Sequence, residues 1–597
     1  MSPASGQRRT RTSGANGNTD GLIVGALALL VLVGVGSVTA AVHLGNQLTP
    51  VPVGAPQTNL PTNPFDLAAG LVGGDVAWPP AATWLLVAGG FLLLLLAITV
   101  TVLVLRWRRR RSRVDAAARH MGRGKDLTAL TARGAQEKAT RLGVATPGLP
   151  IAATVATGQT LYSSWEDVCV DVWGPRTGKS TSRAIPAIMA APGAVLATSN
   201  KRDLVDATRD PRSAVGRVWI FDPQSIADEA ATWWWNPLSY VTDEVKAGQL
   251  ARLFATAARE PGAKTDAYFD KAGTSLLANL LLAAALADRP ITQVYLWLTD
   301  PTEDEPVHIL TTHDYPLSAA ALKGTIDAPE KQRAGVYGTA QETVSFLTNR
   351  SATTWVTPQG PAGTDRRPQF VPADFVRSTD TLHSLSKEGE GSTGPLVTAM
   401  TVAVTEAAEN LARVSPQGRL PVPLVAVLDE AANVCRWHNL PDLYSHYGSR
   451  GITILTILQS WSQGVEVWGR DGMRKLWSAA NVKVYGGGVS ETEFLTELST
   501  LIGEADVDTI STSRSRGHTT TSRSLRRDRV LDVSDLGSMP RFRAVVFASG
   551  VPPVLVRTLP WMDSPAAPAI RASIEAHDPS RRHVPDVVTA ARGVGPA

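Results

Sequence analysis

The sequence predicts an α/β protein: a mainly parallel β-sheet that carries a phosphate-binding loop, set behind a two-helix membrane anchor. Three observations predict it. Strand-like apolar runs alternate with helix-like segments over residues 151–562. The stretch DVWGPRTGKSTSRAIP (171–186) reads as strand, glycine turn and helix. Two long uncharged apolar runs precede both. Strands that alternate with helices argue for parallel pairing with both faces of the sheet covered.

The anchor comes first in the chain. GLIVGALALLVLVGVGSVTAAV (21–42) and a run from about Ala82 to Leu105 are each long enough to cross a bilayer as a helix. Arg8, Arg9 and Arg11 precede the first run, and Arg106, Arg108, Arg109, Arg110, Arg111 and Arg113 follow the second. The segment His43–Ala81 between them holds no Lys or Arg. The positive-inside rule then places both chain ends in the cytoplasm and a short loop outside, as in a multi-pass protein of the inner (cytoplasmic) membrane. A cleaved signal peptide competes as a reading of the first run, but its apolar core exceeds the usual ~7–15 residues. The expected order is a cytoplasmic tail (1–20), spans at 21–43 and 82–105 around an extracytoplasmic loop (44–81), and a basic juxtamembrane segment and linker (106–150).

A net charge of +4 argues neither for nor against a nucleic-acid partner. The two cysteines, Cys169 and Cys435, lie far apart in apolar stretches. That excludes a disulfide framework or cysteine metal site and suits a reducing compartment. After Trp561 the periodicity fades, and 563–597 is expected to be a disordered tail.

The phosphate loop departs from the usual G-x-x-x-x-G-K-[ST] spacing. Only Pro175, Arg176 and Thr177 separate Gly174 from Gly178, with Lys179, Ser180 and Thr181 following. The loop is therefore one residue short, with Trp173 in the first glycine's place and Gly174 expected to supply the turn. Val168–Trp173 reads as a buried strand and SRAIPAIMAA as a helix despite Pro186. In that context backbone N–H groups of the loop surround the phosphates of ATP. Lys179 reaches the β- and γ-phosphates and Ser180 binds Mg²⁺.

Two further strand ends support this reading. PLVAVLDEAANV ends its strand in Asp429 and Glu430. Asp429 is the candidate to organise Mg²⁺, and Glu430 is the candidate general base for an attacking water. Hydrophobic-strand-DE is common alone; joined to GKS upstream it gains meaning. ITILTILQSWSQ closes another strand with Gln459, whose amide could sense the γ-phosphate or orient water, or simply cap a strand. The remaining strands are GAVLATS (193–199), RVWIFDP (217–223), TLHSLS (381–386) and VKVYGG (482–487).

These residues resemble the TraG/TraD-type coupling proteins of conjugation and type IV secretion, membrane-anchored relatives of the FtsK and HerA DNA-pumping ATPases. GPRTGKST resembles the family's Walker A and LDEAANV its Walker B. SNKRDLVDATRD, VWIFDP and WWNPL resemble the segments that follow Walker A, with Lys201, Asp203, Asp222 and Asn236 at characteristic places. GITILTILQSWSQ and NVKVYGGGVSETEFLTELSTLIG resemble the later ones. The resemblance implies a RecA-like P-loop motor in two parts, 151–240 and 376–562, around an inserted all-α domain at 241–375. KAGTSLLANLLLAAALA, which reads as a long buried helix, supports that insert.

The resemblance further implies a homohexameric ATPase that passes single-stranded DNA, with its relaxase and relaxosome, to a type IV secretion channel. Family members often carry an arginine three positions before the glycine that starts the GI strand. Gly448 stands there in this chain, and Arg450 is the substitute candidate for an arginine acting across the subunit interface. Secretion of protein effectors by the same kind of motor is one alternative. A nucleotide-binding membrane scaffold without turnover is another, and the intact Lys179, Ser180, Asp429 and Glu430 argue against it.

Two features are weighed as nucleic-acid contacts. STSRSRGHTTTSRSLRRDR (511–529) holds Arg514, Arg516, Arg523, Arg526, Arg527 and Arg529 among hydroxyl residues, a pattern that suits phosphates but also a solvated loop. The Trp233–Trp235 run could stack bases, although large aromatics before NPL more often fill a core.

Overall fold

A computed structural model of the chain describes residues 19–49, 60–109, 112–259, 266–360, 363–389, 391–515 and 518–582. They fall into two compact units. One holds the N-terminal helices up to Ser112 together with Asp506–Arg527; the other holds the chain from Arg113 to Ala505 and from Asp528 onward.

In the first unit, helices Thr19–Leu48 and Pro80–Arg109 run through both predicted spans. They pack closely at Gly45, where a methyl group would come within 2.8 Å of the Ala82 nitrogen. The short helix Pro64–Gly73 between them buries Leu67 against Val42 and Val76. Along Pro80–Val102 no residue of the apolar window is buried by protein, and Phe91, Leu92, Leu94 and Leu96 stand exposed. An apolar surface of that length is covered by lipid, and it anchors the chain in a membrane.

The second unit is built on one large sheet. Its strands are β1 (Leu149–Thr154), β2 (Thr160–Ser163), β3 (Cys169–Val172), β4 (Val195–Ser199), β5 (Val218–Phe221), β6 (Thr381–Leu385), β7 (Leu424–Leu428), β8 (Ile452–Leu458) and β9 (Val482–Tyr485). The hairpin of β10 (Glu504–Ser515) and β11 (His518–Arg529), most of which belongs to the first unit, forms a two-stranded sheet of its own, and β12 (Arg543–Ala548) and β13 (Val551–Arg557) return to the large sheet. The order is β2-β1-β13-β12-β9-β3-β8-β7-β4-β6-β5. Pairing from β9 to β5 is parallel. From β9 outward through β12, β13, β1 and β2 it is antiparallel.

The parallel strands β3, β4, β6, β7 and β8 are buried at every residue, the polar Asp171 of β3 and His383 of β6 included, as expected of strands covered on both faces. Alternate side chains serve different cores. Leu424, Ala426, Leu428, Ile452, Ile454 and Leu458 join the core on one face, and Val425, Val427, Leu455 and Ile457 join the other. The crossover from β5 to β6 carries a run of helices from Glu244–Ala258 to Arg350–Val356. Helix Phe269–Leu286 there is long and apolar enough to span a bilayer, yet Leu276, Leu277, Leu280 and Leu281 are buried in protein. It is a core helix. Trp233 and Trp235 are also core: Trp233 meets Trp219 and Trp355 edge-on at centroid distances of 5.3 and 5.5 Å.

The expected disorder from 563 needs correcting over its first part. Ala567–Ala576 forms a helix that buries Ile570. Ser573 Oγ donates to the Asp206 carbonyl at 2.6 Å, and Arg202 Nη2 donates to the His577 carbonyl at 2.6 Å. Its apolar face is too sparse to register as a period, and contacts with helix Asp203–Ser213 hold it in place. Residues 583–597 lie outside the described part.

Candidate functional site

The three strand ends that carry the expected chemistry are neighbours. β8 lies between β3 and β7, with Val172 paired to Leu458 and Leu428 to Thr456. The carboxyl ends of β3, β8 and β7 therefore place the glycine loop, Gln459 and Asp429–Glu430 side by side.

The shortened loop is seated on a bed of glycines. Trp173 donates its N–H to the Leu458 carbonyl at 2.9 Å, and Gly174 donates to the Gly487 carbonyl at 2.9 Å. A methyl on Gly174 would lie 2.0 Å from the Gly488 oxygen, and one on Gly486 would strike the Trp173 ring. Gly174 is thus required for close approach rather than for the turn expected of it. The left-handed positions are Arg176 (φ 61) and Gly178 (φ 96). The Gly486–Gly488 run was present in the sequence as a signal of such an approach, but its partner was not.

Behind the loop, the chain continues as a widened π-turn, Ser180–Ala184, before helix Ile185–Ala190. Pro186 offers no N–H and would crowd the Ser182 carbonyl in a regular helix, so the widened turn accommodates it. Arg183 in this turn is fully buried against Asp171 of β3, with Nε donating to Oδ2 at 2.7 Å. Burial raises the Asp171 carboxyl, against the pull of Arg183. The pair fixes the loop's exit to the strand that feeds it.

Lys179, Asp429, Glu430 and Gln459 converge. Lys179 Nζ donates to Glu430 Oε1 and lies 3.2 Å from Asp429 Oδ1. Gln459 Nε2 reaches both carboxylate oxygens of Glu430, at 2.5 and 2.6 Å. Asp429 and Glu430 are only 3% and 2% exposed. Burial pushes the Asp429 carboxyl up to about 6, opposed by Lys179 and reinforced by Glu430. Burial alone would depress Lys179; Asp429 and then Glu430 outweigh it and hold the ammonium above its ordinary value.

Glu430 also has left-handed backbone (φ 55, ψ 42), a conformation a non-glycine residue rarely adopts. Its carbonyl accepts from Asn433 and Val434 at 2.8 and 2.9 Å, which holds it there. Such strain collects where function needs a fixed side chain. Asp429 Oδ1 is buried, and the partner it has is the Lys179 ammonium at 3.2 Å. A buried carboxylate, held here by a lysine that a bound phosphate would draw away, together with the hydroxyl of Ser180 in the loop supplies the oxygen ligands a hard divalent cation takes, so Mg²⁺ fits here.

Other expected residues fall elsewhere. Arg450 sits where the chain enters β8, at the opposite end of that strand from Gln459; its Nη1 donates to the Gly418 carbonyl at 2.9 Å. Gly448 is closed to any side chain, since a methyl there would meet the Glu166 oxygen at 2.1 Å. Asp222 organises a turn by accepting from Ile226, Ala227 and Glu229 at 2.6–3.2 Å. Asn236 caps the turn Pro237–Tyr240. Lys201 and Asp203 are exposed. The arginine-rich segment is a β-hairpin. Arg526, Arg527 and Arg529 are exposed on β11, while the side chains of Arg514, Arg516 and Arg523 lie outside the described residues.

Residues 154–359 match the family described as "Type IV secretory system Conjugative DNA transfer", and residues 423–541 match "TraM recognition site of TraD and TraG". Together these spans exceed half of the chain. No curated protein matches in sequence. Among solved structures, the bacterial conjugative coupling protein TrwBdeltaN70 in its unbound monoclinic form is 18% identical. It aligns over 68% of this chain and 88% of its own, with a TM-score of 0.50. TrwB in complex with ADP and Mg²⁺ is 17% identical, over 66% and 85%, at 0.47. VirB4 of Thermoanaerobacter pseudethanolicus is 12% identical, over 70% and 98%, at 0.40. The first of these shows the fold.

Proposed function

We infer the function from one premise: this chain belongs to the TraG/TraD-type coupling proteins of type IV secretion. It is a membrane-anchored P-loop ATPase that hydrolyses ATP to move single-stranded DNA, with its relaxase, toward a secretion channel. Both chain ends lie in the cytoplasm, and the working form is a homohexamer. The observation that supports this best is the meeting of Lys179, Asp429, Glu430 and Gln459 at adjacent strand ends, beside a loop of backbone N–H groups. The family description of conjugative DNA transfer favours DNA over an effector as cargo.

Residues Gly174–Thr181 cradle the triphosphate, and Lys179 leaves Glu430 for the phosphate oxygens. Ser180 and Asp429 would hold Mg²⁺, which supplies charge neutralisation at the phosphates. Freed of Lys179, Glu430 takes a proton from the attacking water, while Gln459 holds its carboxylate in place. Arg450, at the amino end of β8 and away from this chain's own phosphate loop, acts on a neighbouring subunit's nucleotide. The test is phosphate release by the full-length protein in detergent, with and without single-stranded DNA. Stimulation by DNA is expected; an activity indifferent to DNA would remove DNA as the cargo.

A further inference from the structure

Phe542 lies just before β12 and has left-handed backbone, φ 63. For a bulky aromatic residue that is an outlier, and the surroundings enforce it. The Phe542 carbonyl accepts from Thr558 N at 3.1 Å and Arg543 Nη1 at 3.3 Å, and Arg543 Nε is tied in turn to Asp115 at 2.6 Å. The conformation turns the half-buried ring toward the phosphate loop. A methyl on Gly178 would sit 3.5 Å from Phe542 Cε1 and 3.8 Å from Ser182 Oγ. Ser182 is 1% exposed, and its hydroxyl has no hydrogen-bond partner among the described residues. The exposed Arg541 guanidinium stands 4.9 Å from the centre of the Phe542 ring.

A ring and an orphaned hydroxyl thus flank Gly178, and a guanidinium stands over the ring, on a strand end that carries none of the carboxylates. We propose that Phe542 and Arg541 form the wall against which the planar base of the bound nucleotide stacks. The proposal rests on the phosphate-site reading and adds the part of the ligand that reading leaves without a partner. An aromatic face and an arginine plane are the general means of holding a nucleobase without reading its edge. Discrimination between ATP and GTP is accordingly weak at this wall.

Binding of Mg²⁺–ATP and of Mg²⁺–tripolyphosphate to the full-length protein in detergent separates base from phosphates. Phe542→Ala should weaken ATP about tenfold or more, the usual size of one lost stacking contact, and leave tripolyphosphate within about twofold. Phe542→Trp should restore ATP affinity, which a merely structural role for the ring would not allow. Equal loss of both ligands in Phe542→Ala, or no loss of ATP, overturns the proposal while sparing the phosphate site. An unaltered protein that binds neither ligand overturns the phosphate-site reading itself, and this wall with it.

Discussion

At the carboxyl ends of β3, β7 and β8, Lys179, Asp429, Glu430 and Gln459 are crowded together, with a strained backbone at Glu430 and a buried carboxyl on Asp429. At the amino ends of the same strands the polar groups bond within the chain, although Arg419 Nε and Nη2 are buried with no hydrogen-bond partner among the described residues. Arg419 pairs with Glu166 at 2.8 Å, Arg450 is spent on the Gly418 carbonyl, and Gly448 is jammed against Glu166. One sheet, two edges, opposite chemistry. In a parallel sheet every strand's carboxyl end runs into a loop that precedes a helix, so backbone N–H groups and short polar side chains collect on that side. The amino edge receives helix C-termini and serves stability.

The difference can be broken by substitution. The largest effect belongs to Lys179→Ala, which should lower ATP turnover by at least about a hundredfold, as expected for a preorganised charge at the transferring phosphate. Phosphate release checks it, and activity near the parental level would undo the assignment of the carboxyl edge. Glu430→Gln should cut turnover by roughly 10²-fold or more while bound ATP is retained, because proton transfer fails but the cradle survives. Retention is read by filter binding; normal hydrolysis would exclude Glu430 as the base.

Two alanines sharpen the contrast. Gly174→Ala and Gly448→Ala each bring a methyl to about 2 Å from a carbonyl oxygen, at 2.0 and 2.1 Å. Gly174→Ala should abolish nucleotide binding. Gly448→Ala should cost about 1–3 kcal/mol of stability, the usual range of overpacking, with the KM for ATP unchanged. The reverse pattern would erase the distinction between the edges.

The smallest effect lies between them. His383 of β6 is fully buried, and its Nε2 lies 3.1 Å from Thr208 Oγ1. Burial, then Arg209 and Arg212, depress its pKa from 6.5 to about 3. The unfolded chain therefore binds a proton that the folded chain refuses between those values. Stability from this group is complete above 6.5 and is lost as pH falls toward 3. Replacing His383 with Asn should flatten the melting temperature against pH in this window, by a few degrees (~2–4 °C) near pH 5. An unchanged slope would place the acid sensitivity elsewhere.

The sequence by itself determined what is local. The apolar runs of β3, β4, β7 and β8 were readable because a strand buried on both faces has no polar side to interrupt it. The apolar anchor runs were readable for a similar reason, since lipid tolerates no charge along a helix. The identities of Lys179, Ser180, Asp429, Glu430 and Gln459 followed from strand ends and glycine turns. Tertiary structure alone decided what depends on residues far apart in the chain. Lys179 and Glu430 are 251 positions apart, and they meet because β8 is inserted between β3 and β7. The close seat of Gly174 on Gly488, the ordering of Ala567–Ala576 on helix Asp203–Ser213, and the turn of Phe542 toward Gly178 share that origin. No periodicity records them, because packing between distant segments fixes them only after the chain has closed.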